Sequence, residues 1–185
     1  MAGHPILEAL APTPAAALED LRHCINQLPK AVVAYSGGVD SALVAAIAAE
    51  QLGDRALAIT GVSPALAPHL REEARLQAHW MGIQQREIAT AELSDPAYSS
   101  NPNNRCYACK QELHHQVAQL LPLLDLSDAV VLDGVNHDDL SDHRPGIQAA
   151  RERGVRSPLA ELGISKQSVR EISRALGFPW WDKPA

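Results

Sequence analysis

Ala31-Val32-Val33-Ala34-Tyr35-Ser36-Gly37-Gly38-Val39-Asp40-Ser41-Ala42-Leu43-Val44 is the stretch on which the fold turns. An apolar run of strand character, Ala31 to Tyr35, enters a glycine pair, and an alanine-rich helical run, Ala42 to Leu52, leaves it. Adjacent glycines let a backbone turn sharply and approach an anion, while the first amides of the following helix point unpaired at whatever lies there. The hydroxyls of Ser36 and Ser41 add donors. Ser36, Gly37, Gly38, Val39, Asp40 and Ser41 therefore read as a phosphate cradle rather than a bare glycine turn. The segment is not a Walker A loop, because no Gly-Lys-Ser/Thr follows a four-residue spacer. A carboxylate beside phosphates is repelled unless a cation lies between them, so Asp40 reads as a Mg²⁺ ligand or as a group shaping the helix start.

The flanking sequence extends this strand, loop and helix into a βαβ unit. After the helix ends at Gly53, Ala56 to Thr60 is a second apolar strand, and the continuous apolar character of both fits a parallel sheet covered on two faces. A helix is expected from Pro68 to Met81, stopped by Gly82, with Leu70, Ala74 and Ala78 on one face, and a weaker strand from Ile83 to Ile88 follows. Upstream, Thr13 and Pro14 read as the cap and first-turn proline of a helix whose Leu18, Leu21, Ile25 and Leu28 recur at helical spacing until Pro29. The polar segment Ser94 to Arg105 is a long loop, and a helix is expected from about Cys106 to Leu121. Ala129 to Leu132 is a fourth strand running into Asp133-Gly134-Val135-Asn136-His137-Asp138-Asp139, a polar loop at a strand's carboxyl end, where doubly wound sheets bind ligands. A short helix from Ile147 to Arg153, a turn from Gly154 to Pro158 and a helix capped by Ser165, with Val169, Ile172 and Leu176 inward, complete the chain. The fold class is α/β: a doubly wound parallel sheet of four to five strands with helices on both faces. Residues 1–30 form an N-terminal helix and 31–185 the nucleotide domain.

A chain of 185 residues buries about two-thirds of its unfolded surface without covalent staples. Three cysteines, Cys24, Cys106 and Cys109, and an opening with neither a charged start nor a long apolar run point to a reducing cytoplasm. No apolar run approaches a membrane span, so no membrane partner is expected. The formal charge of -6 gives no generic nucleic-acid surface and favours a small-molecule nucleotide substrate over RNA or DNA. Composition leaves a homo-oligomer open. One Phe, three Tyr and three Trp make the core mainly aliphatic and leave no platform for stacking single strands.

Beside the cradle, Thr60 at the end of the second strand and Gly134 after the fourth are candidates for contact with ATP. Asn136, Asp138, Asp139 and Asp142 crowd one loop and are followed by Arg144, whose bidentate fork suits a carboxylate or phosphate of the substrate. Asp40 and Arg144 are the candidate catalytic residues. In Asn104-Arg105-Cys106-Tyr107-Ala108-Cys109-Lys110, Arg105 and Lys110 suit an anionic substrate. The Cys-x-x-Cys there supplies half of a zinc site; metal binding, a redox or sulfur-relay pair and inert buried thiols stay open. His79, His114, His115, His137 and His143 form no metal-binding helical pair, and Trp180 and Trp181 read as packing.

The loop Ser36 to Ser41 resembles the PP-loop of ATP pyrophosphatases, enzymes that grip pyrophosphate and transfer AMP. Joined by Val62-Ser63-Pro64, the Asn104 to Lys110 segment, Gly134 to Gly146, Ser157-Pro158-Leu159 and Trp181-Asp182-Lys183-Pro184-Ala185, it makes the chain resemble the LarE family of ATP-dependent sacrificial sulfur transferases. The resemblance implies a cytoplasmic enzyme of nickel-pincer nucleotide cofactor biosynthesis. It would use ATP and Mg²⁺ to adenylate a carboxylate of pyridinium-3,5-biscarboxylic acid mononucleotide before conversion to a thiocarboxylate. The chemistry is sensible, since a bare carboxylate is a poor electrophile and an acyl adenylate carries a good leaving group. In the family the sulfur comes from a cysteine just beyond the Trp-Asp-Lys-Pro-Ala motif, and this sequence ends at Ala185. The expectation is a C-terminally truncated chain that keeps the adenylating half and does not complete sulfur transfer. Two alternatives stay open: a generic AMP-forming synthase (an amide ligase like NAD or GMP synthase, or a tRNA thiolase using Cys106 and Cys109) and a nucleotide-binding module without chemistry. The acidic charge argues against tRNA, and no glutamine-hydrolysing domain accompanies an amide ligase here.

Overall fold

The computed structural model describes residues 4–64, 66–90, 115–140 and 154–183. Strands β1 (Ala31–Ala34), β2 (Ala56–Val62), β3 (Gln84–Ala89) and β4 (Val130–Leu132) form one parallel sheet in the order β3-β2-β1-β4. Register is fixed by Val32 opposite both Leu57 and Val131. Beyond β4 the chain adds an isolated parallel bridge, Leu132 with Arg156, so the four-stranded sheet has the start of a fifth member. Helices α1 (Pro12–Asn26), α2 (Val39–Leu52), α3 (Pro68–Met81), α4 (Pro158–Glu161) and α5 (Lys166–Ala175) surround it.

Alternation along the strands divides the apolar side chains between two faces. Ala31, Val33, Tyr35, Ala56 and Ala58 join Leu18, Leu21 and Ile25 of α1, Leu43 and Ile47 of α2, Ala74 and Ala78 of α3 and Val169 and Ile172 of α5 in the main core. Val32, Leu57 and Ile59 point the other way and meet Val117 and Leu121 of a helical stretch at 115–123. Every residue of α2 from Val39 to Ala49 is buried, which explains its alanine content. A helix enclosed on all sides needs an apolar circumference, and small side chains let α1 and α3 approach it.

Local signals set most boundaries. Pro68 at the first turn and Gly82 in the left-handed region, φ +70°, bracket α3 where the sequence places it. The Ser165 hydroxyl accepts from the Ser168 amide at 3.2 Å and caps α5. Helix α1 begins at Pro12 rather than after Thr13, because a proline with no amide to leave unpaired and a preset φ is already favoured in the first helical position. Leu70, expected on the inner face of α3, is 40% exposed; Ala74, Gln77, Ala78 and Met81 form that face. The one-turn α4 was not expected. The loop at 94–105, the beginning of the helix expected at Cys106 and the helix expected at 147–153 lie outside the described residues.

The chain steps from β1 to β2 to β3 in one direction and then places β4 on the other side of β1. Strand order therefore reverses between β1 and β4, and the carboxyl ends of those two strands open the crevice where such sheets bind ligands.

Candidate active site

Two loops face each other at this reversal. Tyr35 prolongs β1, its amide donating to the Ile59 carbonyl at 2.9 Å. Gly37 then takes φ +80°, a left-handed backbone that favours glycine, and packs against α3, where a Cβ would lie 3.4 Å from Cβ of Ala74. Gly38 is the extended N-cap of α2, with no side-chain cap. The first intrahelical bond is from the Ala42 amide to the Gly38 carbonyl at 3.0 Å, so the amides before it emerge at the helix start. Ser41 Oγ donates to the Gly38 carbonyl at 3.2 Å and lies 3.0 Å from Ser36 Oγ, which accepts from the Gly38 amide at 3.4 Å. These bonds hold the loop as an arc around the helix N-terminus.

The loop after β4 lies directly on that arc. A Cβ on Gly134 would stand 2.5 Å from the Ser41 amide nitrogen and 2.8 Å from its Cα, so only glycine permits the contact. Beyond it the chain ties itself. Asn136 Oδ1 accepts from the amides of Asp138 and Asp139 at 2.9 and 3.3 Å, and Asp139 Oδ2 accepts from the Asn136 amide at 3.1 Å. The His137 amide donates to the Ile164 carbonyl at 2.9 Å, and Asp138 Oδ2 accepts from the Lys166 amide at 2.9 Å. The result fixes the start of α5 beside the start of α2. Lys166 Nζ then donates to Asp40 Oδ2 at 2.5 Å, and the two side chains are 22% and 4% exposed.

Burial pushes the Asp40 carboxyl above its ordinary range, and the hydrogen bond and charge of Lys166 oppose that rise; Asp139 adds to it and Asn136 subtracts. Asp40 Oδ1 is buried with no hydrogen-bond partner. Among the described residues no group of three or more His, Cys, Asp or Glu is placed to hold a metal. A Mg²⁺ bound mainly through substrate phosphates needs only one or two protein carboxylates, and the unpartnered Oδ1 fits that demand.

The structure thus brings Ser36 to Ser41 and Gly134 together, with Asn136, Asp138 and Asp139 at the rim, where the Asn136 side-chain oxygen and one carboxylate oxygen each of Asp138 and Asp139 bond backbone amides. Thr60 is buried in β2, its hydroxyl accepting from Gln85 Nε2 at 2.8 Å. Arg105, Cys106, Cys109, Lys110, Asp142 and Arg144 lie outside the described residues. Val62, Ser63 and Pro64 line a cleft of about 700 Å³ at the carboxyl ends of β2 and β3 together with Arg71, Arg75 and Thr90. There Arg71 and Arg75 both bind the Glu87 carboxylate and hold its pKa down to about 2. Sequence reasoning missed Lys166. Its signal was a lysine in the first turn of a helix, where the helix dipole disfavours a cation.

No family model matches the chain. It is 57% identical over 168 residues to an uncharacterized protein of Synechocystis, a match covering 91% of this chain and 62% of that one. It is 32% identical over 162 residues to the pyridinium-3,5-bisthiocarboxylic acid mononucleotide synthase of Lactiplantibacillus plantarum, covering 87% of this chain and 58% of the synthase. The chain therefore spans roughly three-fifths of the length of these relatives. Its fold superposes on an NH3-dependent NAD synthetase from Campylobacter jejuni with a TM-score of 0.67 at 17% identity, over 90% of this chain and 75% of the synthetase, which shows a shared fold. A strand, Ser-Gly-Gly-Val-Asp-Ser loop and helix at the reversal of this sheet place the chain in the PP-loop ATP pyrophosphatase superfamily. Within it, the chain belongs to the LarE-like family. Its relatives with assigned activities are synthases and synthetases, and no helix among the described residues is long and apolar enough to cross a membrane.

Proposed function

We propose that this chain binds Mg-ATP at the Ser36 to Ser41 loop and adenylates a carboxylate of pyridinium-3,5-biscarboxylic acid mononucleotide in the cytoplasm, the activation that precedes sulfur insertion in making the nickel-pincer nucleotide cofactor. The observation that carries the reading is the meeting of Asp40 and Lys166 over the start of α2, with Asp40 Oδ1 left unpartnered. A substrate carboxylate oxygen attacks the α-phosphorus, the bond from that phosphorus to the pyrophosphate oxygen breaks, and acyl adenylate and pyrophosphate result. Negative charge grows on the departing pyrophosphate, where the α2 amides and the Lys166 ammonium are poised to receive it. Mg²⁺, held by Asp40 and phosphate oxygens, would screen the repulsion between Asp40 and the nucleotide. Arg105, Lys110, Asn136, Asp138, Asp139 and Arg144 are the proposed substrate contacts, with Arg144 also catalytic. The relationship to the L. plantarum synthase supports this acceptor.

The likeness to an NH3-dependent NAD synthetase favours a second reading, in which the adenylate is consumed by ammonia. The two are separated by ATP–pyrophosphate exchange with each acceptor in turn. Exchange is expected with the pyridinium dicarboxylate mononucleotide and at least a hundredfold less in a Lys166→Met variant, within the range for loss of one preorganised charge contact, roughly 10²–10³. Exchange only with nicotinic acid adenine dinucleotide moves the assignment to the second reading, and exchange with no acceptor refutes adenylation.

A further inference from the structure

Helix α3 touches the phosphate loop on one side and the C-terminal segment on the other. Glu73, Gln77 and Trp80 are spaced four and three residues apart and share one face. Gln77, 2% exposed, accepts from the Tyr35 hydroxyl at 2.5 Å through Oε1, and its Nε2 donates to Glu73 Oε1 at 3.5 Å. Glu73 Oε2 in turn pairs with Lys183 Nζ at 2.8 Å. Tyr35 immediately precedes the loop, and the place of a Cβ on Gly37 lies 4.0 Å from Gln77 Oε1. Three side chains, Tyr35, Gln77 and Glu73, thus join the loop to Lys183. Burial and the Glu73 charge hold the Tyr35 phenol well above its ordinary pKa, so it stays a donor across the working range.

One turn along α3, Trp80 meets Trp180 edge-on at 5.2 Å between ring centroids and Phe178 at 5.3 Å. Trp180 Nε1 is buried with no acceptor, so the ring can shift against Trp80 without breaking a hydrogen bond. Trp181 lies under the Arg174 guanidinium at 5.6 Å. All three tryptophans of the chain therefore belong to this junction.

We infer that Gln77 is a positioning residue: through Tyr35 and through Glu73 to Lys183 it couples nucleotide binding at the Ser36 to Ser41 loop to the placement of the Trp180 to Lys183 segment. The inference rests on the nucleotide reading above. Coupling is reciprocal, so ATP shifts the C-terminal segment and loosening that segment weakens ATP binding by the same factor.

The test pairs calorimetric titration of the full chain with Mg-ATP and tryptophan emission over the same titration. In the wild type the emission shift is expected to saturate with the calorimetric Kd. Tyr35→Phe and Gln77→Leu are expected to bind ATP by calorimetry and to lose the shift; if Gln77→Leu does not fold, Tyr35→Phe, which removes one hydroxyl, carries the result. Lys183→Met is expected to weaken ATP about fivefold, the low end of typical couplings, and Lys183→Arg to restore it. Calorimetric binding without an emission shift in the wild type, a full shift in Tyr35→Phe, or unchanged affinity in Lys183→Met overturns the coupling and leaves the nucleotide reading standing. No calorimetric binding to the wild type overturns the nucleotide reading itself, and the coupling with it.

Discussion

Replacing Lys166 with Met removes the ammonium from Asp40 while keeping most of the apolar stem. Asp40 is then a carboxylate 4% exposed, without its counter-ion and with Oδ1 already unpartnered. Breaking a fully buried pair costs about 3–5 kcal/mol, and the 22% exposure of Lys166 reduces this to about 2 kcal/mol. For a domain of this size that is a fall in Tm of roughly 4–8 °C. The pH dependence identifies the cause. The folded Asp40 pKa is already raised by burial, and loss of Lys166 raises it further. A raised carboxyl contributes stability that is present below its unfolded value, about 3.9, and lost as pH rises through the folded value. The variant's deficit should therefore be smaller at pH 5 than at pH 8, because the raised carboxyl takes up its proton at a higher pH in the folded chain than in the unfolded one. Thermal unfolding followed by circular dichroism at both values measures it, and the double variant Asp40→Asn, Lys166→Met should recover to within about 1 kcal/mol of the wild type because no buried charge remains. A deficit equal at pH 5 and pH 8, or a double variant as unstable as Lys166→Met, refutes the pairing.

Gly134→Ala should displace the β4 loop from α2, since its Cβ would fall 2.5 Å from a backbone nitrogen that cannot rotate away; the expected loss is about 1–3 kcal/mol, read by chemical denaturation, with weaker ATP binding by calorimetry, and unchanged values for both would contradict the contact. Glu87, held down to about 2 from 4.5 by Arg75 and Arg71, contributes stability present above pH 4.5 and lost as pH falls toward 2. Acid titrations of the wild type and Glu87→Gln should converge over that window, and a constant difference down to pH 2 would show that the ion pairs do not form.

How much was legible depended on whether the deciding contact was local. Pro68 and Gly82 announce both ends of α3 within a residue or two of where they act, and β1, the glycine loop and α2 follow from a run of apolar and small residues. Leu70 shows the limit: helical spacing groups it with Ala74 and Ala78, which are buried, yet its place in the first turn of α3 leaves it 40% exposed. The crowded carboxylates and amide of Asn136 to Asp139 were visible as a loop of interest, yet their bonds to backbone amides at 2.9–3.3 Å depend on a fold within the loop that composition does not specify. Gly134 could be named as a site residue from its position after a strand. The reason a glycine stands there, that a Cβ would fall 2.5 Å from the Ser41 amide nitrogen, belongs to a contact across the sheet. Lys166 carried a local signal in its place in the first turn of a helix, but its partner, 126 residues away, was not legible for the same cause.

That separation has a consequence for how the chain acquires its site. The glycine arc and α2 form from contiguous residues and can close early, whereas the ammonium over Asp40 arrives only when the region around Lys166 has docked, across a span of 126 positions. Until then Asp40 lacks its counter-ion. On the proposed reading, the capacity to hold a nucleotide waits for Lys166 to dock, so a nascent chain that ends before that residue is expected to bind ATP more weakly than one that includes it.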